Sequence, residues 1–357
     1  MMENEMSWFA ESGPDDDIVI STRARIIRNL ADFPFPSKMS DDDRERVQTL
    51  VKDAFQKDEK WYFSPFEQFS EQGKEILCDK NILRKKDCSA VIVDYSDEST
   101  CALVNETDHI KISSFTAGLD CEKVMKKVYK VDEFLQDKLQ FAANIDFGYL
   151  TSHIKDCGSG LKFSIRVFIP SIVLAGKIDT IISFVQSNSL SIIPVFKAGD
   201  IANFSNCIFD ICTFSSAQGN EFDQMANIQA AGELILKTER KIRQQFADNN
   251  QTIALNFFKQ SYAKAVYSLL LSYEEAVDII SAVKWGLQLN IIKGISEKEL
   301  NALYFRTKNG HLRYLCDNFS FSFEDDVKQS IDLQIKRLRT IIIQQAFEGI
   351  VNEKSDS

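Results

Sequence analysis

Asp17-Ile-Val-Ile-Ser-Thr-Arg23-Ala-Arg25-Ile-Ile-Arg28-Asn29-Leu30 is the stretch on which the reading of this chain turns. Arg23 and Arg25 lie two residues apart. If the segment is extended, both side chains leave the same face. A pair of arginines so placed either forms surface salt bridges or holds an anion. Downstream, short apolar runs rich in Val, Ile and Phe alternate with polar loops: Ile76 to Cys78, Ala90 to Val93, Ala102 to Val104, Ile110 to Ile112, Leu161 to Ile169, Ser191 to Phe196 and Cys207 to Cys212. These read as strands. Two helical segments interrupt them. One follows Ser40, which forms a cap-like pair with Asp43, and runs through Val47, Leu50, Val51 and Phe55. The other runs from about Cys121 to Ala143, with Val124, Val128, Val131, Leu135 and Leu139 on one face.

The pattern changes near residue 225. Ala226 to Ile235, Ala265 to Leu271, Ala276 to Leu289 and Val327 to Ile350 all carry helical periodicity, and Ser296 with Glu299 forms a capping box. The expected organisation is therefore α+β: residues 1–224 form a domain of strands and helices, and residues 225–357 an all-α domain suited to dimerisation or partner binding. The composition agrees with a folded globular protein. Of 357 residues, 44% are hydrophobic and 26% charged, and the low Gly and Pro content (14 and 6) excludes collagen-like and disordered classes. The net charge of −10 argues against general binding to nucleic acid or an anionic membrane, while leaving room for a local basic pocket. No stretch is apolar for long enough to span a bilayer. The acidic N-terminus lacks the order of a signal peptide, which points to the cytoplasm. Eight irregularly spaced cysteines and only three histidines suit reduced, mostly buried thiols better than a zinc site, so no metal ligands are assigned.

The quoted stretch, followed by Phe33-Pro-Phe-Pro36, resembles the opening of protein-arginine kinases of the McsB type, members of the ATP:guanidino phosphotransferase (phosphagen kinase) family. The resemblance continues through Asn105-Glu-Thr-Asp108-His109-Ile-Lys111, Phe147-Gly-Tyr-Leu-Thr-Ser152, Cys157-Gly-Ser-Gly160-Leu-Lys162 and Gly286-Leu-Gln-Leu-Asn-Ile-Ile-Lys293-Gly-Ile-Ser296. These blocks keep their order along nearly the whole chain. The resemblance implies an antiparallel sheet flanked by helices. It also implies a reaction in which the γ-phosphoryl group of ATP, with Mg²⁺, passes to a protein arginine. Arginine forks suit phosphate oxygens, and carboxylates orient the guanidinium and help deprotonate it.

Carried over position by position, Ser21, Arg23, Arg25, Lys111 and Lys162 are the expected ATP contacts. Glu106 and His153 are the expected contacts to the guanidinium. Lys111 and Lys162 replace arginines, and His153 replaces a cysteine. Thr107 replaces a catalytic carboxylate, and its hydroxyl cannot take a proton at neutral pH. On a strand, Glu106 would point away from that position unless the register slipped. Glu106, Asp108 and His109 read equally as a structural polar cluster, and the two lysines as surface residues. A clamp arginine and a second carboxylate are missing from 191–206, where Lys197 and Asp200 are partial substitutes or plain loop charges. The phosphoarginine pocket of these kinases corresponds to Asp325-Asp326-Val-Lys328-Gln-Ser330, without its arginines. Two functions follow: an ATP-dependent protein-arginine kinase, or a catalytically degraded pseudokinase acting as a regulatory subunit. The implied partners are a protein substrate, the Clp protease machinery, a zinc-binding activator and a second copy of the chain.

Overall fold

The computed structural model describes residues 7–56, 58–83, 88–94, 98–196, 203–217 and 219–352. In chain order the strands are β1 (Val19–Arg28), β2 (Trp61–Pro65), β3 (Ala90–Asp94), β4 (Thr100–Val104), β5 (Ile110–Ala117), β6 (Ala143–Asn144), β7 (Gly148–Tyr149), β8 (Leu161–Phe168), β9 (Leu190–Pro194), β10 (Ile208–Thr213), β11 (Ile292–Lys293) and β12 (Val351–Asn352). The helices are α1 (Asp41–Phe55), α2 (Glu71–Asp79), α3 (Cys121–Gln136), α4 (Pro170–Leu174), α5 (Ile178–Ser187), α6 (Glu221–Asn249), α7 (Gln251–Tyr267), α8 (Tyr273–Gln288), α9 (Glu297–Arg306), α10 (Asn309–Asn318) and α11 (Ile331–Phe347).

Eight of the strands form one sheet in the order β2-β3-β4-β5-β1-β8-β10-β9, with every neighbouring pair antiparallel. The quoted stretch thus becomes a central strand. Its alternation sorts residues by face: Thr22, Ala24 and Ile26 are buried, while Ser21, Arg23 and Arg25 are half-buried on the other side. The apolar face packs against α1, α3, α5 and α6 through Val47, Val51, Val124, Val128, Val185 and Ile235. At one end of the opposite face Leu103, Phe115 and Trp8 join a second core that continues into α7, α8 and α9 through Phe258, Trp285 and Phe305. The first helix of the 225–357 region begins at Glu221, and by its packing it belongs to the sheet layer.

Three local expectations are corrected. Ile76 to Cys78 lies inside α2, started by the Ser70 side chain accepting the Gly73 N–H, so this short run is helical. The helix begun at Cys121 stops at Gln136, because the chain then pairs with the end of β1: Ala31 N–H donates to Gln140 O (3.0 Å) and Ala142 N–H to Asn29 O (2.7 Å). Leu271 lies beyond α7, in a loop where its N–H donates to Lys336 O and its carbonyl accepts from Arg339. The capping boxes at Ser40/Asp43 and Ser296/Glu299 form as expected.

Candidate functional site

Residues opposite one another in an antiparallel ladder share a face. Arg25 stands opposite Lys162 on β8 and Ser113 on β5. Arg23 stands opposite Ser164 and Phe115, Ser21 opposite Arg166, and Ile27 opposite Lys111. The register therefore gathers Ser21, Arg23, Arg25, Lys111 and Lys162 on one face, with Arg166 added. Directly opposed like charges destabilise a sheet by roughly 0.2–1 kcal/mol. Between Arg25 and Lys162 the Asp156 carboxylate, paired with Lys162, offsets that repulsion.

The space above Ser21, Arg23, Arg25, Lys162 and Arg166 is a trench, and Lys111 does not line it. One part, about 270 Å³, is lined by Arg23, Arg25, Lys155, Lys162, Ser164 and Cys212. A smaller part, about 180 Å³, continues past Ser21, Arg166, Asp210 and Trp8. Arg23 is held at the junction, donating from Nε to Ser164 Oγ (3.1 Å) and from Nη1 to Asn81 O (3.5 Å). Lys162 is ion-paired with the buried Asp156 and donates to Phe214 O (3.3 Å). Burial lowers the pKa of the Lys162 ammonium, the Asp156 carboxylate opposes this, and Arg25 and Lys155 push it down further. Arg166 and Asp210 form a two-pronged pair at 2.8 and 2.9 Å.

The Asn105–His109 segment is a tight loop. β4 ends at Val104, Asn105 takes a positive φ of 55°, and Asn105 N–H closes onto His109 O (2.9 Å). Strand alternation stops there, so the expectation that Glu106 needs a register slip does not apply. Its carboxylate turns back and forms an ion pair with Lys111, with both side chains nearly buried. Asp108 accepts from Asn29 Nδ2 and from Ser152 N–H, both at 2.7 Å. His109 is fully buried; its Nδ1 accepts from Leu30 N–H (2.9 Å), which leaves Nε2–H to donate to Pro34 O (2.9 Å). Burial lowers its pKa and keeps the ring neutral. Asp108 and His109 are thus committed to holding the loop.

Ser152 ties the next segment to this loop, since its hydroxyl also donates to Thr107 O (2.7 Å). His153 is therefore delivered to the same end of the sheet as Glu106, with an exposed side chain. The glycines nearby serve backbone packing. A Cβ on Gly160 would come within 2.6 Å of Ile27 O, and one on Gly158 within 2.8 Å of Ser216 O, so both positions face protein backbone. Lys197 and Asp200 lie outside the described residues. In the helical region, Lys328 and Asp325 form an exposed ion pair (2.8 Å).

Sequence reasoning missed Ser164 and Arg166, although their spacing of two and four from Lys162 places them on its face. Asp156, Asp210 and Asn81 carry no comparable signal, because strand register and loop closure bring them in. Among the described residues, no group of three or more His, Cys, Asp or Glu side chains is arranged to hold a metal ion. No helix among them is long and apolar enough to cross a membrane.

Comparison with known proteins agrees with this arrangement. Residues 43–242, more than half of the chain, match the family model described as ATP:guanido phosphotransferase, C-terminal catalytic domain. The protein-arginine kinase of Clostridium acetobutylicum is 26% identical over 334 residues, spanning 91% of this chain and 97% of that protein. That of Brevibacillus brevis is 28% identical over 323 residues, spanning 88% and 90%. Among solved structures, lombricine kinase superposes with a TM-score of 0.56 at 15% identity, covering 66% of this chain and 70% of that one. The duplicated taurocyamine kinase from Schistosoma mansoni gives 0.57 at 18%, covering 67% of this chain and 36% of that longer one. The antiparallel sheet with its flanking helices is thus the phosphagen-kinase fold, and the chain belongs to the ATP:guanido phosphotransferase family.

Proposed function

We propose that this protein binds Mg·ATP in the cationic trench and that its transfer of the γ-phosphoryl group to a protein arginine is strongly attenuated. The observation that carries this reading is the pairing of Glu106 with Lys111. Arg23, Arg25 and Lys162 supply positive charge for the triphosphate, and Mg²⁺ enters with the nucleotide. Thr107 stands where the family has the carboxylate that acts on the guanidinium, and its neighbour Glu106 is engaged with Lys111. Losing one charge-stabilising group at an active site costs about 3 kcal/mol. Changes within one catalytic unit are not additive. The same pairing favours the second reading, a pseudokinase that retains the nucleotide and acts through binding. A protein ligand suits the rim of the trench, where Phe214 is 55% exposed and Ile154, next to the lining residue Lys155, is 89% exposed.

Calorimetric titration with Mg·ATP, followed by assay of acid-labile phosphate on an arginine-containing protein, tests both parts. Saturable binding is expected, weakened at least tenfold by Arg25→Ala. Thr107→Glu is expected to raise phosphoryl transfer. No binding at millimolar Mg·ATP would overturn the nucleotide reading. Wild-type transfer that Thr107→Glu leaves unchanged would overturn the account of its attenuation.

A further inference from the structure

Arg23, Arg25, Lys155 and Lys162 line the larger part of the trench, and no carboxylate is among its lining residues. Two of these cations are engaged by the protein. Arg23 donates to Ser164 Oγ and Asn81 O. Lys162 is held by Asp156 and also donates to Phe214 O. The side chains of the Lys162–Asp156 pair are 12% and 7% exposed, so the pair is nearly closed off from water. Its opposite charges cancel over a short distance, and little of the Lys162 charge reaches the space above.

Lys155 is placed differently. It lies in a short 3-10 turn, Ile154–Asp156, fastened to the chain just beyond β10. Its carbonyl accepts from Ser215 Oγ (2.8 Å) and from Ser216 N–H (2.9 Å), which fixes the backbone at this point. Adjacent side chains on the turn then diverge: Asp156 is buried against Lys162, and Lys155 is exposed. Among the described residues Lys155 forms no ion pair with a carboxylate, and its ammonium stands 5.9 Å from the Phe214 ring centre. A cation at that distance from a ring is held weakly. An ammonium carries three donors and no acceptor, so Lys155 keeps its donors for a ligand. Its charge is also felt inside the trench, where it adds to that of Arg25 in pushing down the Lys162 pKa.

We propose that Lys155 is a ligand-contacting residue of the trench and donates directly to an anionic oxygen of the bound triphosphate. This rests on the nucleotide reading of the trench and adds to it a residue that the sequence did not single out. It also divides the work between two lysines. Lys162 supplies charge from the floor while Asp156 holds it in place. Lys155 reaches in from the rim with unspent donors. Its ammonium bonds to no other part of the protein among the described residues, so its removal acts on the ligand rather than on the fold.

Mg·ATP and inorganic triphosphate are the probes, titrated calorimetrically into the full-length protein at low and at moderate salt. Lys155→Met is expected to weaken both at least tenfold, the size of losing one hydrogen bond between charged groups. It should also make the remaining binding less sensitive to salt. Lys155→Arg should restore most of the affinity, and Lys155→Gln should not. The urea midpoint of all three variants should match the wild type, which separates loss of the contact from loss of the fold. Wild-type binding that Lys155→Met leaves within about twofold would overturn the proposal while the nucleotide reading stands. A loss in Lys155→Arg as large as in Lys155→Met would do the same. Absence of wild-type binding to both probes at millimolar concentration would overturn the proposal together with the nucleotide reading.

Discussion

At the scale of single residues, parity along β1 separates side chains that hold the fold from those that face the trench. Arg28 belongs to the first kind. It lies on the same strand as Arg23 and Arg25, but its side chain is 2% exposed and paired with Asp132, which is 1% exposed, at 2.7 Å. It also donates to Ile27 O and Ser159 O, and its guanidinium stacks 3.5 Å from the Tyr149 ring centre. Asp132→Ala would leave a buried guanidinium without its counter-charge, and such a break costs about 3–5 kcal/mol. Urea denaturation is expected to show a loss of that size, and a loss below 1 kcal/mol, as is usual for exposed pairs, would contradict the assignment. Arg23 and Arg25 differ from Arg28 only by parity along the strand, so Arg25→Ala is expected to weaken Mg·ATP binding while leaving urea stability nearly unchanged. That parity was legible in the sequence. The partner of Glu106 was not, because it depends on a loop that turns at the positive φ of Asn105.

At the scale of elements, the approach to β1 is fastened to three helices. Asp17 accepts from Arg240 (2.7 Å) and Arg243 (2.8 Å) of α6. The carbonyl of Asp16 accepts from Lys284 of α8 (2.9 Å) and Asn301 of α9 (3.0 Å). Burial works against ionisation of Asp17, but the two arginines outweigh it and hold its pKa below the ordinary 3.8. A carboxylate whose folded pKa is depressed contributes stability that is present above 3.8 and is lost as the pH falls through the folded value. Asp17→Asn should therefore be less stable than wild type at neutral pH, with the difference shrinking below pH 3.8. Thermal melts across that range check the sign, and a difference that grows on acidification would refute it. The acidic run at 15–17 is visible in the sequence, whereas its basic partners lie more than 220 residues away. The same contrast explains Ile76 to Cys78: three apolar residues do not distinguish strand from helix, and only the Ser70 cap and packing against α10 settle it.

At the scale of the whole molecule, the sheet and the helical region share one continuous core. Trp8 stacks on Phe115 of the sheet at 5.4 Å and meets Phe305 of α9 edge-on at 5.2 Å, while Phe9 stacks on Phe305 at 4.8 Å. We propose that residues 225–357 differ from the rest in secondary structure more than in folding unit. Far-UV circular dichroism and tryptophan fluorescence, which samples Trp8, Trp61 and Trp285, are expected to report one coincident unfolding transition. A chain ending at residue 249 should fail to fold cooperatively, since Phe115, Leu103 and Trp8 would lose their cover. Two separated transitions, or a stable truncated product, would restore an independent helical domain.

The sequence by itself determined the order of most elements, the helix starts at Ser40 and Ser296, the shared face of Arg23 and Arg25, and the family. Each of these is local: strand parity, a cap three residues long, or a contiguous motif. Only the tertiary structure decided which acid answers which base, Glu106 to Lys111, Asp156 to Lys162 and Asp210 to Arg166. Those outcomes depend on strand register and loop closure, which bring together side chains that no local pattern pairs.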